Sequence, residues 1–262
     1  MPATSSFAAL SRSIGKGTGS GLLTGWIGIA DPLVASVIAR EAFDAVTLDM
    51  QHGFVDIATA VNGIAQVNLA GKPALVRIPV GDFAIASRAL DAGASGIIAP
   101  MVNSAEDARQ LASFTKFPPL GERSWGPAIA LNISGMSMPE YLAQANAHVV
   151  TIAMVETRES LAALDEILAV PGIDGVLVGP SDLSITLSNG AHVDPSHADV
   201  DRALDHVAAR CKAHGKAACT FAPSGDRARD LIRRGYDLLA IGTDISQLRA
   251  GCKAGIEAAR RP

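Results

Sequence analysis

Eight short apolar runs, each followed by a longer amphipathic segment, recur through this chain of 262 residues. They are LLTGWIGI (22–29), AVTLDM (45–50), ALVRIP (74–79), GIIAP (96–100), HVVTIAMVE (148–156), GVLVG (175–179), AACTF (217–221) and LLAIGT (238–243). Short runs that are apolar at consecutive positions read as strands buried on both faces, the situation of parallel strands under helices. Helix start signals lie between them: Asp31-Pro32, Ser104 with Asp107, and Thr157 with Ser160. DAGASGII and RRGYDLLAIG each pass from a helix end through a glycine cap into a strand. Eight such units in about 240 residues predict an α/β chain folded as one (β/α)8 TIM barrel over residues 1–262. With 48% apolar and 18% charged residues there is material for one large core, and no linker marks a second domain. A doubly wound open sheet is the competing topology. It carries a glycine-rich dinucleotide turn after its first strand, where this chain reads WIGIADP.

Charge and composition exclude several classes. The net charge is −4 and there is no basic stripe, so nucleic acid is not an expected partner. No apolar run approaches the roughly 18 residues of a membrane helix, so no membrane association is expected. Residues 1–20 lack a basic n-region followed by an apolar h-region, so they are expected to form a short helix and a loose lead-in rather than a secretory signal. GKGTGSG, at 15–21, resembles a phosphate loop in composition. It leads into a strand instead of following one, so it is read as a linker. Cys211, Cys219 and Cys252 have no CxxC spacing and are read as free, buried thiols in a reducing compartment, the cytoplasm.

A barrel carries its chemistry at the C-terminal ends of its strands. In order, those ends offer Trp26, then Asp49 and His52, then Arg77, then Glu156, then Asp182 just after the sixth strand. Two carboxylates one β/α unit apart repel each other unless a cation lies between them. Few protein oxygens, with water and substrate completing the shell, suit Mg²⁺ or Mn²⁺. Taken singly, each acid could instead serve a helix start. A buried Arg77 requires an anion, either a protein carboxylate or an oxyanion that develops during reaction. His52 is the one histidine at a strand's C-terminal end, with Asp49 near enough in sequence to orient it, and suits a general base. His148 is read as the start of the fifth strand, at the opposite end of the barrel. None of the six lysines ends a strand, which removes the amine a Schiff-base mechanism needs. Pro180 opens a helix whose free N–H groups, at Ser181 and Asp182, could receive a substrate carboxylate.

GWIGIADPLV, LDMQHG, LVRIP, LDAGASGIIAPMVNSAEDA, GERSWGP, MVET and VLVGPSDLS form an ordered set from Trp26 onward. In these motifs the chain resembles the metal-dependent (class II) pyruvate aldolases of the 4-hydroxy-2-oxoheptanedioate and 2-dehydro-3-deoxyglucarate aldolase family. The resemblance implies a phosphoenolpyruvate/pyruvate-type barrel and reversible cleavage of a 4-hydroxy-2-oxo acid to pyruvate, or a related 2-oxo acid such as hydroxypyruvate, and an aldehyde. It implies Glu156 and Asp182 as metal ligands, with Co²⁺ and Zn²⁺ as further candidate ions, and His52 as base, acting directly or through water. Asp49 and Asp91 become its orienting or relay partners, Asp91 across a subunit boundary. Arg77 would steady the enolate, Trp26 would wall the pyruvate pocket, and the backbone at Ser181 and Asp182 would hold the carboxylate. A homo-hexamer, a trimer of dimers exchanging the C-terminal helix, is also implied. Three positions depart from the family pattern: Gln51 where Glu is frequent, Met154 where some relatives have Gln, and Ser124 where Gly is usual. Oxaloacetate decarboxylation and acyl-CoA cleavage share the enolate and are the alternative reactions. A non-catalytic metal- or metabolite-binding barrel is the alternative from another class.

Overall fold

The computed structural model describes residues 8–261. Eight parallel strands close into a barrel in sequence order: β1 (Leu22–Ile27), β2 (Ala45–Asp49), β3 (Ala74–Arg77), β4 (Gly96–Ala99), β5 (Val150–Val155), β6 (Gly175–Val178), β7 (Ala217–Ala222) and β8 (Leu238–Ile241). All eight expected runs are strands, and most end one to two residues early because their last residues turn out into loops. The expected helix starts are also present. Asp31 caps Pro32–Ile38, Ser104 caps Ala105–Thr115, and Thr157 caps Arg158–Ala162 in a capping box with Ser160. His148 departs from expectation: it is the last residue of the helix Met138–His148, and β5 begins at Val150.

Strand parity sorts the side chains into two cores. Val46 and Leu48 of β2, Val76 of β3 and Ala153 and Val155 of β5 face outward into the layer shared with the helices. Their alternates, including Trp26, Ala45, Leu75, Ile152, Met154, Leu177 and Leu238, fill the barrel interior, which Leu10 of the helix Ala9–Ser13 also joins. Side chains of a strand alternate with period two. The inward series therefore runs on to Asp49 after Ala45 and Thr47, to Arg77 after Leu75, and to Glu156 after Ile152 and Met154. Thr24 and Thr47 share a hydroxyl–hydroxyl hydrogen bond of 2.9 Å inside the barrel, one layer below these charged groups.

The described part of the lead-in, residues 8–20, is packed against the barrel rather than loose. Its expected extent is 1–20, of which residues 1–7 lie outside the described residues. The GKGTGSG run wraps the buried carboxylate of Asp237, which accepts from the backbone N–H groups of Gly17 (2.7 Å), Thr18 (3.1 Å), Gly19 (3.0 Å), Ser20 (3.2 Å) and Ala218 (3.0 Å). Gly17, Gly19 and Gly21 have φ of 69°, 71° and 70°, a conformation only glycine adopts freely. The loop is thus an anion-binding nest whose anion belongs to the chain itself. At the same end of the barrel Lys116 is buried against Asp174 (2.7 Å) and the carbonyls of Asn146 and Val149, far from the strands' C-terminal ends. Cys211 and Cys219 are buried, and burial pushes the Cys211 thiol up to about 12; Cys252 is exposed, contrary to the expectation that all three are buried. Among the described residues no helix is long and apolar enough to cross a membrane.

Asp237→Ala leaves this ring of amides without an acceptor and is expected to cost about 3 kcal/mol, the scale of charge-assisted bonds lost from a buried site. Hydrogen exchange should show the amides of residues 17–20 losing protection while those of β5 and β6 keep theirs.

Candidate active site

Asp49 is the last residue of β2 and pairs in register with Arg77, the last residue of β3. Both side chains are nearly buried, at 6% and 9% exposure, so each needs the other. Arg77 donates from Nε to Oδ1 (2.8 Å) and from Nη2 to Oδ2 (2.6 Å), a two-pronged pair. The same carboxylate accepts from Trp26 Nε1 (3.2 Å) and from the backbone N–H groups of Gln51 (3.0 Å) and His52 (3.3 Å). Burial pushes the Asp49 carboxyl up, but the guanidinium, the indole and the amide together outweigh it, and the net shift is downward. The Arg77 guanidinium also lies over the Trp26 ring, 4.9 Å from its centroid.

This differs from the expected role of Asp49. Its carboxylate holds the backbone of His52, not the imidazole; the His52 side chain is exposed at the cavity mouth. The residue that Asp49 orients directly is Arg77.

Glu156 follows β5 and is buried, at 1% exposure. Its backbone N–H donates to Ser160 Oγ of the capping box that begins the next helix. Among the described residues its carboxylate receives one hydrogen bond, from the N–H of Met101 to Oε2 (2.9 Å). Burial pushes the Glu156 carboxyl up, the Met101 amide opposes this, the nearby Asp182 charge adds to it, and Arg77 opposes it. Asp182 stands in the first turn of the helix Pro180–Leu187. Gly179, which precedes that helix, lies so close that a Cβ there would come 2.6 Å from Glu156 Oε1. Glu156 and Asp182 are therefore brought together, and among the described residues neither forms a salt bridge. Among the described residues no group of three or more His, Cys, Asp or Glu side chains is placed to hold a metal ion.

These groups line a cavity of about 300 Å³ with Trp26, His52, Ser181, Met154 and Leu177. Phe54, Phe221, Thr243, Asp244 and Ile245 complete the lining. Phe221 meets Trp26 edge to face, with ring centroids 6.1 Å apart. Asp244 is buried and accepts from the N–H groups of Gly28 (3.0 Å) and Ile29 (2.8 Å), fixing the loop after β1. Met154 presents an apolar surface to the cavity, and Ser124 is exposed in a distant loop. The Oε1 atom of Gln51 is buried without a hydrogen-bond partner.

Asp91 is not in this cavity. It closes the helix Phe83–Asp91 and pairs with the buried Arg123 (2.7 Å) on the outer surface, beside Gly126 and Ile129. Three contributors were not anticipated from sequence. Met101 reaches Glu156 through a backbone with φ of 55°, which a methionine does not advertise. Gly179 is expected as the end of the sixth strand, with no indication that it lies against Glu156. Asp244 had a signal, since it follows β8 within GTDIS much as Asp182 follows β6 within GPSDLS.

Comparison with known proteins gives a family assignment. The model of the family described as HpcH/HpaI aldolase/citrate lyase matches residues 23–250. A hydroxypyruvate/pyruvate aldolase of Rhizorhabdus wittichii is 42% identical over 238 residues, 91% of this chain and 94% of that one. A 5-keto-4-deoxy-D-glucarate aldolase of Salmonella gallinarum is 32% identical over 225 residues, covering 86% and 87%. Among solved structures, an HpcH/HpaI aldolase/citrate lyase family protein from Burkholderia cenocepacia superposes with a TM-score of 0.82 at 29% identity, covering 92% of this chain and 95% of that one.

The Asp49 pair has a pH signature. The folded-state carboxyl titrates below its ordinary 3.8, so its ionised form stabilises the fold above that value, and the contribution is lost as pH falls through the depressed value. Asp49→Asn is expected to cost about 3 kcal/mol near pH 7. In urea unfolding at a series of pH values, the gap between variant and native protein should be constant at neutral pH and close only below about pH 4.

Proposed function

The chain belongs to the HpcH/HpaI aldolase/citrate lyase family and is a carbon–carbon lyase of the aldolase class; from that premise we propose that it reversibly cleaves a 4-hydroxy-2-oxo acid to pyruvate, or to hydroxypyruvate, and an aldehyde. The observation that carries this reading is the unpaired carboxylate couple, Glu156 and Asp182, facing the same cavity as Arg77 and a helix N-terminus. Burial first, and then the nearby Asp182 charge, push the Glu156 carboxyl up against the one amide that reaches it, a setting that suits a divalent cation. Mg²⁺ or Mn²⁺ is the proposed ion, held by Glu156 and Asp182. When bound, it supplies a Lewis acid that stabilises negative charge on the oxo acid.

The chain's own groups do the rest. The N–H groups of the first helical turn at Ser181 and Asp182 receive the substrate carboxylate. Trp26 closes the wall behind the small oxo acid. Arg77, fixed by Asp49 through Nε and Nη2, turns its remaining Nη1 to the developing enolate oxygen. His52, whose backbone Asp49 anchors, takes the 4-hydroxyl proton. The C3–C4 bond then breaks, its electron pair forms the enolate, the aldehyde leaves, and protonation at C3 gives the methyl group. In the synthetic direction that methyl proton is removed first.

Assembly is part of the proposal. The helix Asp244–Ala259 is exposed from Ile245 onward save for the half-buried Gln247, and Leu248, Cys252 and Ile256 recur on one side of it at four-residue spacing. Leu248 and Ile256 are 61% and 51% exposed, an apolar stripe that supports exchange of this helix between subunits of a homo-hexamer. Asp91 would then serve a neighbour's site across a subunit boundary. Free thiols and the lack of a spanning helix among the described residues support a cytoplasmic enzyme.

Deuterium exchange into the methyl group of pyruvate tests the reading without an aldehyde. With Mg²⁺ the protein should exchange it, chelation should stop the exchange, and Glu156→Gln should slow it at least 100-fold. Unchanged exchange in that variant would remove Glu156 from the metal site. His52→Ala should retain Mn²⁺ binding, read by electron paramagnetic resonance, while losing exchange.

A further inference from the structure

Resting on the pyruvate reading above, we infer that Asp244 is a positioning residue for the reaction: through Gly28 it sets the loop that carries His52. His52 stands between β2 and the buried Val55, in a stretch that is neither helix nor strand. Its imidazole is exposed, and the nearby Phe54 side chain, 80% exposed, gives the loop no packing. Backbone hydrogen bonds therefore hold it. On the N-terminal side, Asp49 Oδ1 accepts from the amides of Gln51 and His52. On the C-terminal side, the N–H of Phe54 donates to the carbonyl of Gly28 (2.8 Å). The two glycines of this contact are closely packed, since a Cβ on Gly53 would come 2.8 Å from Gly28 Cα. The place of Gly28 thus sets the place of residues 53 and 54, and with them His52.

Gly28 lies past the end of β1, which stops at Ile27, so the barrel ladder does not fix it. Asp244 does. Its Oδ2 accepts from the N–H groups of Gly28 (3.0 Å) and Ile29 (2.8 Å), and its Oδ1 accepts from the N–H of Ile245 (2.8 Å). Asp244 opens the helix Asp244–Ala259, where the helix dipole favours an anion, and it is the buried residue of that helix, at 4% exposure. The series runs from the end of β8 to the loop after β1 and on to the loop after β2, three neighbouring strands of the barrel. Glu156 and Asp182 follow β5 and β6, across the closed barrel from β1 and β2. Every bond in the series lies within one chain, so it stands whatever a neighbouring subunit adds at the mouth. A proton acceptor displaced from its substrate loses rate steeply, while the groups that hold the metal and the oxo acid stay in place.

The test follows deuterium exchange into the methyl group of pyruvate, with Mg²⁺, in the native protein, Asp244→Ala and Asp244→Asn. Asp244→Ala is expected to lower kcat by about tenfold or more. Its KM for pyruvate and its Mn²⁺ affinity, read by electron paramagnetic resonance, should stay within about twofold of native. Asp244→Asn keeps an oxygen for Gly28 and Ile29 and should return kcat to within about threefold of native. A smaller fall in Asp244→Ala, a matching loss of pyruvate or Mn²⁺ affinity, or failure of asparagine to rescue the rate each overturns the inference. Amide hydrogen exchange reads the anchor directly. Gly28, Ile29 and Phe54 should be protected in the native protein and in Asp244→Asn, and lose protection in Asp244→Ala. Fast exchange at these amides in the native protein overturns the inference even if Asp244→Ala does not fold. Native protein that leaves the methyl protons of pyruvate untouched sinks the pyruvate reading and this one with it, whereas native exchange with kcat preserved in Asp244→Ala sinks only the role given to Asp244.

Discussion

The carboxylate of Asp49 is the point on which the candidate site depends. Five N–H groups converge on it: the Trp26 indole, two from Arg77, and the amides of Gln51 and His52. They come from β1, from β3 and from the loop that follows β2, so one side chain sets the relative position of three barrel segments. A carboxylate this buried survives only because every oxygen is supplied with donors. In return it fixes the guanidinium of Arg77 through two hydrogen bonds, where a free arginine side chain would sample many rotamers. The aromatic wall and the cation come to the cavity already coupled.

Loops elsewhere are held the same way. Each is rich in backbone N–H groups that lack strand or helix partners, and each is gathered on an acid supplied by a distant part of the chain. Asp237 collects residues 17–20 at one end of the barrel, and Asp244 collects Gly28 and Ile29 at the other. Met101 reverses the arrangement: its single amide is delivered to Glu156. The difference has a consequence for chemistry. Asp49, Asp237 and Asp244 are amply supplied with donors and are structural anions. Glu156 is undersupplied, its neighbour Asp182 is an acid, and burial pushes its carboxyl up. A buried carboxylate left short of donors is the place where a cation gains most.

Most of the barrel was legible in the order of residues. Apolar runs of five to nine residues, broken by cap residues, read as strands covered on both sides, and eight of them in sequence match a closed barrel. The candidate acids and Arg77 were legible for a related reason: a charged residue at the end of an apolar run has to leave the barrel through its mouth. Side-chain parity along β2, β3 and β5 then turns Asp49, Arg77 and Glu156 inward.

Less could be read where partners are far apart in sequence. The GKGTGSG run carries the glycines of a nest but no indication that its anion is Asp237, 220 residues away from Gly17. Proximity in sequence suggested that Asp49 orients the His52 ring, whereas the geometry gives it the His52 amide and the Arg77 side chain. Asp91 belongs to a motif of the family pattern, yet the fold puts it on the outer surface with Arg123. By itself the sequence determined the barrel, the strand ends and the inventory of acids, because local pattern and hydrophobic burial act on neighbouring residues. Only the tertiary structure decided which acid is saturated with donors and which is left for a cation, because that depends on amides and guanidinium groups delivered by strands and loops that meet only when the barrel closes.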